Sequence, residues 1–309
     1  MKHQRRRRVS QRNRFVNGIL FSTMYRAQDS SFGYCLDLLR RYDHDQFLVN
    51  LVQPNTHRRA HAAIRAFNVE LTRIRQIVTN EDLGRLRVTF FREALERAFA
   101  ATPDKQPVLD LLSEAIVQFG LSKKWFERLL SAREADLSLP NFQTIQEVEH
   151  FTESTQSSLL YAYLETFGKR QLSLPVYQAA SHLGQALGLT ILLRGTRHHI
   201  ESRLCYFPKE WIQKYRVDLP LHYRGLWKES NSIGMLQEMS ELASYHIATA
   251  RQYVGDIPPL LFPAFLSSTI VDVYLAKIRR YHYQMLDPRV EFAAKLGLKL
   301  LWNKWRRRF

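Results

Sequence analysis

The stretch RAHAAIRAFNVELTRIRQIV (59–78) decides the fold class. Ala63, Ala66, Phe67, Leu71 and Ile74 recur at spacings of three and four, which places them on one stripe of a helix. A half-buried strand would instead alternate apolar and polar residues, and no part of the chain reads that way. Outward from this stretch, RVTFFREALERAFA (87–100) repeats the helical spacing through Phe91, Leu95, Ala98 and Phe99. PVLDLLSEAIVQFG (107–120) opens on Pro107 and closes at Gly120, the residues that helices favour just inside their start and just past their end. Helical patterns continue over 123–137, 147–168, 175–194, 231–254 and 263–286, with most prolines between them. The expectation is an all-α chain without internal repeats, folded as a single domain over residues 29–286.

Size and composition agree with a globular core. The chain has 309 residues, 45% hydrophobic and 24% charged, which excludes disorder throughout. Cys35 and Cys205 form no CxxC pair, so neither a disulfide framework nor a zinc site is expected. The net charge of +16 raises the question of nucleic acid, but its distribution argues against it. Residues 1–28 carry eight Lys and Arg and no acid, and residues 277–309 carry ten against Asp287 and Glu291. The remaining 27 basic and 27 acidic residues balance. A neutral body with basic ends points to an import signal or to anionic lipid, not to a nucleic-acid partner. Residues 1–28 lack the apolar core of a secretory signal, are rich in Arg, and include Ser10 and Ser22, as a mitochondrial presequence does; the bland alternative is a basic arm. No run of eighteen apolar residues occurs, so no membrane-spanning helix is expected.

The C-terminal segment 287–309 reads as a separate basic amphipathic helix. Val290, Ala294, Leu298, Leu301, Trp305 and Phe309 fall on one stripe, Lys295, Lys299 and Arg306 on an adjoining face, and Trp302 near the boundary. That pattern suits a helix lying in a membrane surface against anionic lipid; the alternative is a last core helix with a basic tail.

Several blocks resemble the squalene/phytoene synthase family. LVQPNTHRRAHAAIRAFNVEL (51–71) is similar to the family's first signature, RLRVTFFREALERAF (85–99) to its Arg-rich aromatic helix, LLSAREADL (129–137) to its next element, and GQALGLTILLR (184–194) to the helix carrying its second acidic motif. Within the family, ESTQSSLLYAYLETFG (153–168), AASHLGQALGLTILLRGT (179–196) and GYCLDLLRRYDHDQFLVNLVQP (33–54) resemble a mitochondrial, non-catalytic branch that serves assembly of respiratory complex I. The resemblance implies an isoprenoid-synthase-like helical bundle with a central cavity. It also implies a protein on the matrix side of the mitochondrial inner membrane, with complex I subunits or assembly intermediates as partners. On this reading the ancestral isoprenoid cavity persists as an apolar groove for a segment of a nascent subunit.

The same resemblance implies where catalysis should reside. Family members bind diphosphate through magnesium, a hard ion that needs several carboxylates on two facing helices. The first acidic cluster should fall at Thr72, Arg73 and Gln76, and the second at Gly195, His198 and His199; none is acidic. Glu70 and Glu201 lie nearby but supply one carboxylate each. The expectation is therefore no catalytic residue, no metal site and no cofactor. A rival reading keeps an enzyme that binds diphosphate without metal through Arg73, Arg75, Arg194 and Arg197. Another assigns RNA binding to the basic ends. His198 and His199 are adjacent, hence about 100° apart on a helix, and cannot share a tetrahedral ion. Asp43, His44 and Asp45 read as helix-surface residues, and Ser30–Ser31 and Ser157–Ser158 as caps and packing groups.

Overall fold

The computed structural model describes residues 30–309 apart from 139, 170, 171, 227–229, 292 and 308. The expected import segment 1–28 lies outside the described residues. Among those residues the chain is all helix and turn, in agreement with the periodicity.

The N-terminal half comprises α1 (Ser30–Tyr42), α2 (His44–Val52), α3 (Asn55–Ile77), α4 (Glu81–Phe99), α5 (Pro107–Phe119) and α6 (Lys123–Ala135). The stretch that decided the fold is the centre of α3, where Ala63, Ala66, Phe67 and Ile74 are fully buried. α3 packs against α1 and α5, and Phe67 meets the rings of Phe91 and Phe126 edge-on. The boundaries follow capping chemistry. Asn80 Oδ1 accepts from the Leu83 amide at 2.9 Å to start α4, and Gln106 Oε1 accepts from Leu109 at 2.8 Å to start α5. Gly120 ends α5 at φ 63°, a left-handed conformation that favours glycine.

In the second half, α7 (Ile145–Thr152) runs through a π-helical turn (Glu153–Ser157) into α8 (Ser158–Glu165). α9 (Leu174–Arg194) is followed by the short helices α10 (Thr196–Glu201), α11 (Lys209–Lys214) and α12 (Leu219–His222), then by α13 (Ser232–Gln252). α9 is the central beam here, lying between α13, α14 (Ser268–Arg280) and the π turn. Its approach to the π turn depends on Gly184: a Cβ there would sit 2.5 Å from the Ser157 Cα, closer than any packing allows. The π turn inserts an extra residue into what the periodicity reads as one helix, a change that spacing arguments do not detect.

A 3-10 segment, Pro259–Ser267, leads into α14. Together they make one stretch, Pro259–Arg280, that by length and composition alone is apolar enough to cross a membrane. Its most apolar window is 67% buried inside the bundle, which accounts for its hydropathy as core.

The C-terminal segment departs from the expected single helix. It comprises α15 (Pro288–Glu291) and α16 (Leu296–Arg306), separated by non-helical residues. Val290, Leu296, Leu300 and Phe309 are buried, and α16 packs against α2 and α14. The expected stripe is thus divided: its ends, Val290 and Phe309, join the core, while Ala294, Leu298, Leu301 and Trp305 face outward.

Candidate functional site

The two helices that should carry acidic clusters are α3 and α9, and the positions in question lie at their C-terminal ends. On α3, the Thr72 hydroxyl donates to the Val69 carbonyl at 2.9 Å, and Gln76 is exposed. The Arg73 guanidinium lies 4.0 Å over the Tyr42 ring. Arg75 turns inward: Nη2 donates to the Ser138 carbonyl at 2.8 Å, and Nη1 reaches the Asp136 backbone carbonyl and side chain. After α9, Gly195 leaves room for the His199 ring, which a Cβ at 195 would meet at 2.8 Å. An aspartate at 195 would therefore displace His199. His198 and Glu201 are exposed.

These ends meet around one carboxylate. Asp136 accepts from Tyr206 at 2.8 Å and pairs with Arg75 at 3.3 Å, with Arg133 at 3.8 Å. Arg133 in turn donates to Asn68 Oδ1 at 3.0 Å. The Tyr206 ring lies tilted against His199, with ring centroids 4.6 Å apart. Burial pushes the Asp136 carboxyl up, against the pull of Arg133, the Tyr206 hydrogen bond and Arg75. Burial, with His198 and Arg75 adding to it, pushes His199 down to about 3, so its imidazole is neutral near pH 7. The site holds two guanidiniums, one carboxylate, a phenol and a neutral imidazole. Magnesium chemistry requires several convergent carboxylates, and this arrangement instead presents positive charge. No group of three or more His, Cys, Asp or Glu among the described residues is placed to hold a metal.

The sequence alone carried Asn68, Arg133 and Asp136 only as parts of resembling blocks and did not point to Tyr206. The spacing of Arg133 and Asp136, one helical turn, was a legible signal for their pairing. Nothing local links Asp136 to Tyr206, 70 positions away.

The four arginines of the metal-free reading are all engaged within the protein. Arg75 is bound as above and Arg73 lies on Tyr42. Arg194 pairs with Asp45 and donates to the Tyr274 hydroxyl at 3.2 Å, and Arg197 donates to the Leu286 carbonyl. A cleft of about 380 Å³ beside Gly195 has Arg194, Arg197, His198 and Glu201 in its walls.

Asp45 requires a correction. It is not a surface residue: it is 6% exposed, bonded to Arg194 and to Tyr274 at 3.3 Å. Its neighbour Asp43 is pushed up by burial against the pull of Arg65 and Arg194. Arg65 is itself buried and donates to Gln156 of the π turn at 2.9 Å, and Asn50 meets His61 at 3.1 Å. Between α3 and the π turn the interior therefore carries a polar contact. A cavity of about 760 Å³ opens between α6 and α7, its apolar wall made by Ala132, Ala135, Phe142 and Phe151 and the rest by Arg128, Ser131, Gln146, Glu147, His150 and Ser154. Ser157, read as a packing group, donates to the Ser181 carbonyl at 3.0 Å and lies against Gly184.

On α16, Leu298, Leu301, Trp302 and Trp305 are 66%, 45%, 52% and 74% exposed, and the two tryptophan rings lie 5.2 Å apart. The opposite face is anchored by Leu296 and Leu300 and by an Asn303 to Thr269 hydrogen bond of 2.9 Å.

Comparison with known proteins fits this geometry. The squalene/phytoene synthase family matches residues 39–296. NADH dehydrogenase (ubiquinone) complex I, assembly factor 6 of Rattus norvegicus is 33% identical over 277 residues, 89% of this chain and 82% of the relative. The Homo sapiens protein of that name is 31% identical over the same shares, and a Dictyostelium discoideum homolog is 29% identical over 92% of this chain and 80% of its own length. A dehydrosqualene synthase crystal structure superposes with a TM-score of 0.72 at 18% identity, covering 89% of this chain and 95% of the other. A squalene synthase from Alicyclobacillus acidocaldarius gives 0.70 at 18% identity, covering 82% and 94%.

Proposed function

The chain belongs to the squalene/phytoene synthase family, with complex I assembly factor 6 proteins among its relatives, and on that premise we propose that it is a non-catalytic assembly factor for mitochondrial respiratory complex I. The observation that carries this reading is the network of Arg75, Asp136, Arg133, Tyr206 and His199 at the place of the acidic clusters. Prenyl coupling needs magnesium to offset diphosphate charge, and a metal ion arriving here would meet two guanidiniums and a single carboxylate that they already engage. The protein works without cofactor and without nucleic acid, and no residue has a catalytic role. Its partners are complex I subunits or early assembly intermediates.

The place of action is the matrix side of the inner membrane. Residues 1–28 serve import, and α16 makes a peripheral contact with anionic lipid. Lys295, Lys299 and Lys304 support the peripheral form, since each would cost about 2.5–3.5 kcal/mol at the centre of a bilayer helix. Lying flat places Leu298, Leu301 and the two tryptophans at the acyl boundary and the lysines among headgroups.

Depletion of the protein, with complexes I, III and IV measured in parallel, tests the function. Selective loss of complex I is the expected result; equal loss of all three would sink the reading in favour of a lipid, quinone or translation defect. Turnover of farnesyl or geranylgeranyl diphosphate by the full chain with magnesium would restore the enzyme reading.

A further inference from the structure

Beside α16 lies a cleft of about 420 Å³, within the size range of small-ligand sites. Leu260, Phe262 and Leu266 of the 3-10 segment form its apolar wall, and Asn303, Lys304 and Arg307 of the α16 end complete it. The wall is rigidly held. Pro263 accepts a 3.0 Å hydrogen bond from Gln53, whose own Oε1 accepts from Tyr163 at 2.8 Å, and Phe262 meets the buried Phe309 ring at 5.9 Å. Leu260 is 55% exposed, so the apolar wall continues to the surface.

The charge around the cleft is one-sided. Lys304 has no carboxylate partner, nor do Lys295, Lys299, Arg306 or Arg307 among the described residues. Burial, and then the nearby Arg58 guanidinium, push Lys304 down. Lys304 follows Leu301 by three positions and therefore flanks the exposed stripe of Leu298, Leu301 and Trp305. An apolar trough with a cationic mouth, opening beside an exposed tryptophan-bearing face, has the polarity of one anionic phospholipid: acyl chain inside, headgroup at the rim. A protein segment would account for the trough but not for the cationic mouth that Lys304 and Arg307 give it.

We infer that this cleft holds one acyl chain of an anionic membrane phospholipid, with its headgroup bound by Lys304 and Arg307. The inference deepens the peripheral-membrane reading of α16 and rests on it. It separates two roles: the outer face of α16 adsorbs to the bilayer, and the cleft retains a single lipid.

The test uses the full chain and phosphatidylglycerol or phosphatidylcholine, presented in vesicles and in detergent micelles, with bound lipid counted by native mass spectrometry. The wild type is expected to bind phosphatidylglycerol vesicles and to retain one phosphatidylglycerol after extraction. The pair Leu260→Glu and Lys304→Glu, both at exposed positions that leave the core intact, should lower that occupancy at least about tenfold. Trp302→Ser with Trp305→Ser should weaken vesicle binding yet keep the lipid when it is loaded from micelles. If the wild type binds anionic vesicles but retains no phospholipid, or the Glu pair retains as much as wild type, this inference falls and the membrane reading stands. Equal retention of phosphatidylcholine overturns the headgroup assignment. An added apolar peptide filling the cleft while phospholipid does not would make the occupant protein. A wild type that ignores anionic vesicles removes the underlying reading as well.

Discussion

The converging ends of α3 and α9 and the C-terminal helix α16 are both rich in cations, and they use them in opposite ways. At the first, every arginine is spent inside the protein: Arg75 and Arg133 on Asp136, Arg194 on Asp45 and Tyr274. At the second, the lysines have no acidic partner among the described residues and the tryptophans face outward. Satisfied, buried charge holds a structure together and leaves little for a ligand to gain, whereas unsatisfied charge beside exposed apolar surface marks a place for a partner. On the proposed reading, the first region serves as scaffold and the second as the surface that meets a partner.

That contrast is open to breakage at graded cost. The largest effect belongs to Asp45. Removing it as Asp45→Ala leaves the Arg194 guanidinium uncompensated in the interior, for an expected loss of about 3–5 kcal/mol in denaturant unfolding. A loss under about 1 kcal/mol would mean that the pair is solvated and the scaffold argument fails. Next comes Leu300→Ala on the inner face of α16, expected to cost about 2–5 kcal/mol as a core truncation does. For the same reason, deleting 289–309 should destabilise the body and not merely release it from membranes.

Acid titration is the third probe, and its sign follows from the buried histidines. Burial holds His199 down to about 3 and His222 down to about 4, below the ordinary 6.5. The unfolded chain binds protons first, so stability is present above pH 6.5 and is lost as pH falls toward those values, by about 1.4 kcal/mol per unit for each such histidine. Asp43 and Asp136 are raised by burial and act in the opposite sense, their share being present at low pH and lost as pH rises through their raised values. His199→Gln should flatten the acid decline between pH 6.5 and about 3; a decline as steep as that of wild type would place His199 in water. The smallest effect on stability is expected at the outer face. Trp305→Ser should change unfolding by no more than about 0.5 kcal/mol while reducing partition onto anionic vesicles. If it destabilises as Leu300→Ala does, the two faces of α16 are not distinct and the comparison fails.

Much of this was legible locally. The α3 pattern appears in the structure as a buried stripe, and the Pro107 and Gly120 signals mark the ends of α5. The want of acids at Thr72, Gln76, Gly195 and His199 is a matter of residue identity and needs no coordinates. The Asp136 network was not legible beyond its Arg133 pairing, because Tyr206 and Arg75 reach it across 70 and 61 positions. The polar contact inside the bundle was not legible either, because Arg65 reads as an exception to the apolar stripe of α3 until Gln156 is seen opposite it.

The sequence by itself determined the helical class, the ends of several N-terminal helices, the neutral body with basic ends, and the residue identities at the positions of the two acidic motifs. These depend on spacing and identity, which survive without knowledge of neighbours. Tertiary structure alone decided which face of α16 is core, since Leu296 with Leu300 and Leu298 with Leu301 and Trp305 make two apolar stripes on one helix, and only contact with α2 and α14 chooses between them. It also decided that Asp45 is buried. A carboxylate in the interior is stable only beside its counter-charge, and that counter-charge, Arg194, lies 149 positions away along the chain.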